Sequence, residues 1–192
     1  MSASAQIVWT QHEFLDWADG RDGRYEFDGF QPVAMTGGTV RHNLIYVNIL
    51  VSLRARLSLG RCIPLGPDTG VATVGTAVRY PDALITCSPF KGMDKTIDGA
   101  VVVFEVISPG SDRIDRIVKV REYAAVPSIL RYIIVESASV GATLLRRADG
   151  SAPWTATTLT DVDMLPLPEA GIEVPLAEFY AGISFGPDSP AA

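Results

Sequence analysis

The stretch Ala100–Ile107, AVVVFEVI, is apolar at every position except Glu105 and is dominated by β-branched side chains. Such a run, with no alternation of polar and apolar types, marks a strand covered on both faces. It is far shorter than the roughly 20 residues a membrane helix needs, and no longer apolar run occurs in the chain. Immediately after it, SPGSD (108–112) punctuates the chain. DRIDRIVKVREYAA (Asp112–Ala125) then reads as a helix with acidic residues in its first turn, where the helix dipole favours them, and Pro127 stops it. RYIIVE (Arg131–Glu136) is a second apolar β segment, so residues 100–135 form a strand–helix–strand unit. Further out, Val140–Arg147 pairs with RYIIVE as a hairpin, weakened at Gly141. Trp154–Leu159 alternates weakly, and Leu176–Ala181 forms a last short helix.

Upstream, Thr10 followed by Glu13 makes a capping box that opens a helix over Gln11–Ala18, ending near Gly20. Arg24–Phe27 and Gln31–Met35 read as a hairpin around Asp28-Gly29, and Pro32 places the second strand at an edge. A long helix is expected over Thr39–Leu59. Its stripe is read as Val40, Leu44, Val47, Val51 and Arg54, widened by Ile45, Ile49 and Leu53, with Gly60 closing it. Residues 61–65, 70–74, 77–80 and 82–87 are short β segments. The expected fold is α/β or α+β: a central mixed β-sheet flanked by helices, with extra β-hairpins and the long helix packed on the sheet. The 192 residues suit a single domain over 1–185, with 186–192 as a frayed tail.

A carboxylate inside VVVFEVI demands an explanation, because a buried unpaired carboxylate either neutralises or finds a partner. One reading makes Glu105 a strand-end residue paired to an arginine. The other makes it a metal ligand or general base, since strand ends beside a crevice are where such groups meet ligands. A second acid lies at the mouth of another β segment, in Arg79-Tyr80-Pro81-Asp82. By itself Pro-Asp is a common turn; with Glu105 it gives two carboxylates on two neighbouring segments. Hard oxygen ligands of this kind suit Mg²⁺ or Mn²⁺. Lys119 lies on the next helix, sharing one side with Asp115, Glu122 and Tyr123, while Ile114, Ile117, Val118 and Ala125 make the expected apolar stripe. Its ordinary reading is a surface pair with Asp115.

Asp82, Glu105 and Lys119 together resemble the PD-(D/E)xK nuclease signature. Pro81-Asp82 supplies its first half and Glu105-Val106-Ile107 its second. Ile107 stands where the lysine normally falls, but some branches carry that lysine on the following helix, as Lys119 does. The wider pattern resembles one such branch, the Uma2 family (DUF820) of restriction endonucleases. The matching pieces run in order from Tyr25-Glu26-Phe27-Asp28-Gly29 and Arg41-His42, through Val78–Asp82 and Phe104–Pro109, to Asp115-Arg116, Lys119–Tyr123 and Pro127-Ser128, spanning roughly residues 10–185. The resemblance implies a restriction-endonuclease-like core, Mg²⁺ (or Mn²⁺) as cofactor, and hydrolysis of DNA phosphodiester bonds. It implies catalytic roles for Asp82, Glu105, Lys119 and Glu26, with Asp82 and Glu105 as the metal ligands. A homodimer that cuts both strands is a further implication. His42 matches a histidine before the long helix and is read chiefly as orienting that helix. It is also a nucleic-acid candidate, together with Arg113, Arg116 and Arg121, while Arg54, Arg56 and Arg61 are further candidate phosphate contacts.

Composition limits the alternatives. Sixteen basic against 22 acidic residues leave a net charge of −6, so phosphate binding must be local and free DNA is held weakly. That balance also keeps open a nuclease-fold module that binds without cutting. Only His12 and His42 are histidines, no GxSxG elbow accompanies them, and no phosphate-cradling GxxxxGK[ST] loop occurs. Two cysteines, Cys62 and Cys87, with no CxxC, are expected to be reduced thiols in a cytoplasmic protein. The N-terminal MSASAQIVWT has no basic start followed by an apolar block, so no export signal and no membrane partner are expected.

Overall fold

The computed structural model describes residues 9–57, 60–108 and 113–186, the side chains of 113–116 excepted. The expected tail lies outside these residues apart from Gly186, as does the SPGSD punctuation apart from Ser108. The first half of the chain contains α1 (Gln11–Asp19), β1 (Tyr25–Phe27), β2 (Pro32–Ala34), α2 (Val40–Leu57), β3 (Ile63–Leu65), β4 (Val71–Ala72), β5 (Val78–Arg79) and β6 (Ala83–Thr86). The second half contains β7 (Ala100–Ile107), α3 (Arg113–Ala124), β8 (Arg131–Glu136), β9 (Ala142–Arg146), β10 (Thr155–Leu159), β11 (Met164–Leu167), β12 (Ile172–Pro175) and a 3₁₀ turn, Leu176–Tyr180.

The AVVVFEVI strand is β7, and it lies inside a six-stranded sheet of order β10-β9-β8-β7-β6-β3. It runs antiparallel to β6 and parallel to β8, and α3 supplies the crossover that a parallel pair requires. Both faces of β7 are covered, which explains why its sequence does not alternate. Val102, Phe104 and Val106 pack with Ile45, Ile49 and Leu53 of α2. Val103 packs on the opposite face with Tyr123 of α3 and Tyr132 of β8. Glu105, an odd-numbered neighbour of Val103, shares that α3 face.

α2 buries only the widening part of its expected stripe, Ile45, Ile49 and Leu53, and α3 buries a different face from the one expected. On α2 the buried positions are Ile45, Ile49, Ser52, Leu53 and Leu57, whereas Val40 is 75% and Val51 63% exposed. Both stripes satisfy helical spacing; the bulkier Ile/Leu stripe wins because it removes more apolar area from water. On α3 the side carrying Glu122 and Tyr123 is buried, while Ile117 and Ala125 of the expected apolar stripe are exposed. The helix turns its charged side inward because charged partners await it there. The side chain of Asp115, the partner expected for Lys119, lies outside the described residues.

A smaller sheet of order β2-β1-β5-β4 carries the first part of the chain. Pro32 lies in β2, at the edge of that sheet, as expected. Asp28 closes the β1–β2 turn by accepting the Phe30 and Gln31 N–H groups at 2.8 and 2.7 Å, and Gly29 takes φ +91° there. The capping box of α1 forms as read, and its Phe14 stacks on Phe27 at 5.1 Å between ring centroids. The chain leaves β5 through Tyr80-Pro81 and enters β6 of the large sheet, which places Asp82 where the two sheets meet.

Two features differ from the sequence reading. Met164–Leu167 and Ile172–Pro175 form an unanticipated hairpin, hidden by prolines at 166 and 175. Cys62 and Cys87 are joined in a disulfide rather than reduced. The β3–β6 register pairs Ile63 with Thr86, so the next rung sets the two cysteines opposite each other, which their 25-residue separation could not reveal. Among the described residues no helix is long and apolar enough to cross a membrane.

Candidate active site

The β6–β7 ladder fixes the first two site residues. Ala83 pairs with Phe104, so one rung further places Asp82 opposite Glu105, and directly opposed residues share a face. Asp82 Oδ2 accepts the Val106 N–H at 2.7 Å, which holds its carboxylate against β7. Glu105 Oε1 accepts the Tyr123 hydroxyl at 2.8 Å, and Lys119 Nζ lies 3.4 Å from each of its oxygens. Tyr123 and Lys119 stand one turn apart on α3, so one face of that helix reaches one carboxylate twice.

Glu26 enters from β1. Its Oε1 lies 3.5 Å from Lys119 Nζ and accepts the Tyr80 N–H at 3.2 Å. Its Oε2 accepts Arg79 Nη1 at 3.0 Å. The remaining donors of Arg79 go to Glu122 on α3, Nε to Oε2 at 2.5 Å and Nη2 to Oε1 at 2.8 Å. Arg79 is only 4% exposed, so it ties the small sheet to α3 by a fully enclosed fork. From α2, His42 Nε2 reaches Asp82 Oδ2 at 3.4 Å. Thr39 Oγ1 accepts the His42 N–H at 3.2 Å, so the cap of that turn is Thr39. His42 itself is turned to the carboxylates, which corrects its reading as a helix-orienting residue.

Of these groups Glu26, His42, Asp82, Glu105 and Lys119 line one cavity of about 820 Å³, walled by the β1–β2 hairpin and by the first turns of α2. Burial pushes the Glu105 carboxyl up to about 7; Lys119 opposes the shift, and Asp82 and Glu26 add to it. The hydrogen bond to Asp82 holds the His42 imidazole above its ordinary value. Burial, reinforced by the Glu105 charge, pushes the Tyr123 phenol well up. Burial works against the Arg79 charge, but Glu122 and Glu26 outweigh it and raise the guanidinium further. Glu26, Glu105 and Glu122 thus pair with Arg79 and Lys119, while Asp82 pairs with His42.

The remaining sequence candidates divide. Arg121 is exposed and does not line the cavity, while the side chains of Arg113 and Arg116 lie outside the described residues. Arg54, Arg56 and Arg61 sit at the far end of α2, about 18 Å or more from His42 at 1.5 Å per residue. Arg56 there is committed to Glu178 at 2.7 Å. Arg79, Glu122, Tyr46 and Arg24 belong to the cavity or its support and were not singled out as site residues. Only Arg79 left a signal, as a charged residue within the apolar β segment leading into Pro81-Asp82.

The geometry is that of a carboxylate-rich cleft at the carboxyl end of a parallel strand, and comparison with known proteins gives the same class. The Uma2 family model, described as "Putative restriction endonuclease", matches residues 11–177, and the chain belongs to that family. It is 29% identical over 175 residues to the uncharacterized protein slr1290 of Synechocystis, covering 90% of this chain and 92% of that one. A crystal structure from Anabaena variabilis, described as a putative nuclease belonging to DUF820, superposes with a TM-score of 0.69 at 10% identity, covering 90% of this chain and 98% of that one. That likeness establishes the fold, the mixed sheet flanked by helices.

Proposed function

We propose that the protein is a metal-dependent endonuclease that hydrolyses DNA phosphodiester bonds, with Asp82 and Glu105 holding Mg²⁺ or Mn²⁺. The observation that carries this reading is the side-by-side placement of Asp82 and Glu105 in a single cavity. Asp82 and Glu105 are adjacent, share a face, and offer hard oxygen donors of the kind these cations take. Among the described residues no three His, Cys, Asp or Glu side chains form a ready cage. That suits Mg²⁺, which keeps several waters and is commonly bound by one or two carboxylates. When bound, the cation supplies Lewis-acid polarisation of a phosphate oxygen and a more acidic water.

The chain's own residues do the rest. Lys119 presents its ammonium beside Glu105, where it can donate to a phosphoryl oxygen as negative charge grows on it. Glu26 has both oxygens engaged by Arg79, Tyr80 and Lys119, so its part is to aim Lys119 rather than to ligate. Tyr123 fixes the Glu105 carboxylate by donating to it, and Arg79 fixes Glu26 and Glu122. His42 holds Asp82 from the α2 side and stands at the cavity wall, in reach of a phosphate.

The test is nicking of DNA with Mg²⁺ or Mn²⁺ by the wild type and by Glu105→Ala. Loss of nicking in the variant, with its melting temperature retained or raised, supports the proposal; equal nicking by both removes it. The net charge of −6 favours a second reading, a nuclease-fold binding module that does not cut. Under that reading millimolar Mg²⁺ or Mn²⁺ leaves the melting temperature unchanged, whereas a cation bound by the native state must raise it.

A further inference from the structure

The site groups lie deep. Glu26, His42, Asp82, Glu105 and Lys119 each have side chains less than one-fifth exposed. The cavity above them, about 820 Å³, lies within the roughly 300–1,000 Å³ range that encloses one small-molecule-sized ligand. Its lining includes apolar and aromatic side chains, Val33 and Met35 from the β1–β2 hairpin, Tyr46 from α2, and Tyr80. A reacting phosphate must therefore come down to groups set back from the surface.

The cations available tell the same story. Among the described residues the cavity is lined by three basic side chains, Arg24, His42 and Lys119. Lys119 stands between Glu26 and Glu105, and Arg24 is engaged by Asp68 and the Pro67 carbonyl. Duplex DNA is typically gripped through about 6–10 phosphate contacts along a basic track. An unpaired strand can fold a nucleotide down to recessed groups without the unpairing cost a duplex must meet, and aromatic walls suit stacking of a base.

We infer that the substrate of this site is an unpaired DNA strand, one nucleotide of which enters the cavity and stacks against Tyr46 while its phosphate reaches Asp82, Glu105 and Lys119. This rests on the nuclease reading above. The test compares one oligodeoxynucleotide as a single strand, as a full duplex, and as a duplex with an unpaired flap, each cut in Mn²⁺ and each bound in Ca²⁺ by fluorescence anisotropy. The single strand and the flap should be cut at least about tenfold faster than the duplex and bound more tightly. Tyr46→Ala should raise KM for the single strand about tenfold with little change in kcat, while Tyr46→Phe restores it. Equal or faster cutting of the full duplex overturns the inference and leaves the nuclease reading intact. Absence of cutting with preferential binding of the single strand overturns the nuclease reading and keeps the strand preference. Absence of both overturns the two together.

Discussion

Replacing Glu105 by glutamine should make the apo protein more stable in a pH-dependent way. The native carboxyl is raised from 4.5 to about 7, chiefly by burial, so the native state retains a proton that the unfolded chain releases between those values. Stability of the wild type therefore falls as pH rises from about 4.5 to 7, and the full penalty is present above about 7. At about 1.4 kcal/mol per pH unit, the penalty reaches about 3 kcal/mol, on the order of 10 °C in melting temperature for a chain of this length. Glutamine removes the titration while keeping an oxygen for the Tyr123 hydroxyl. Lys119 loses one partner but keeps Glu26. The assay is urea unfolding of wild type and Glu105→Gln in EDTA at pH 5, 6, 7 and 8. The difference between them should grow in favour of the variant by about 2.5 kcal/mol across that series, since part of the penalty is already present at pH 5. Because the comparison is across pH, any constant cost of the amide cancels. Parallel stability curves would refute the reasoning, since they would mean that Glu105 carries no burial penalty.

The remaining predictions concern the supports of the site. Arg79→Met strips the enclosed fork from Glu26 and Glu122 and should cost about 3–5 kcal/mol by urea unfolding, with much of it recovered in Arg79→Met/Glu122→Leu; a loss below about 1 kcal/mol would contradict the fork. An NMR titration should place the His42 imidazole above 6.5 in the native state, with the elevation lost in Asp82→Asn. A Cβ at position 38 would come 2.9 Å from the His42 ring, so Gly38→Ala should also lower that value by displacing the ring, detectably so in the same titration. Reduction of Cys62–Cys87 should lower stability by about 3 kcal/mol for a loop of this length, and the unreduced native protein should show no thiol to Ellman's reagent.

The sequence revealed the parts of the fold whose pattern is local. The capping box at Thr10, the Asp28-Gly29 turn and the uniform β7 run each carry their own chemistry, and each formed as read. The buried face of α2 was legible only as part of a broader stripe, because both halves of that stripe satisfy helical spacing and the outcome depends on what lies opposite; that of α3 was not legible. For α3 the decisive partners, Glu26 and Arg79, come from β1 and β5, far away in the chain. The same distance explains the site. Glu105 could be picked out because it sits oddly in an apolar strand; Asp82 and Lys119, ordinary in their own segments, stood out only beside it and through the resemblance to the nuclease signature. Tyr123 and Glu122 look ordinary until the sheet register and the α3 crossover bring them together. The cysteine pairing is of this kind as well, visible only once β3 is set beside β6.

The central claim is that Asp82 and Glu105 hold one divalent cation together. Its most direct measurement is the anomalous difference density of a crystal soaked in Mn²⁺. The account expects one peak at about 2.0–2.2 Å from a carboxylate oxygen of each residue, absent in Glu105→Gln crystals treated alike. Density elsewhere in the cavity, or none at all at millimolar Mn²⁺, would contradict it.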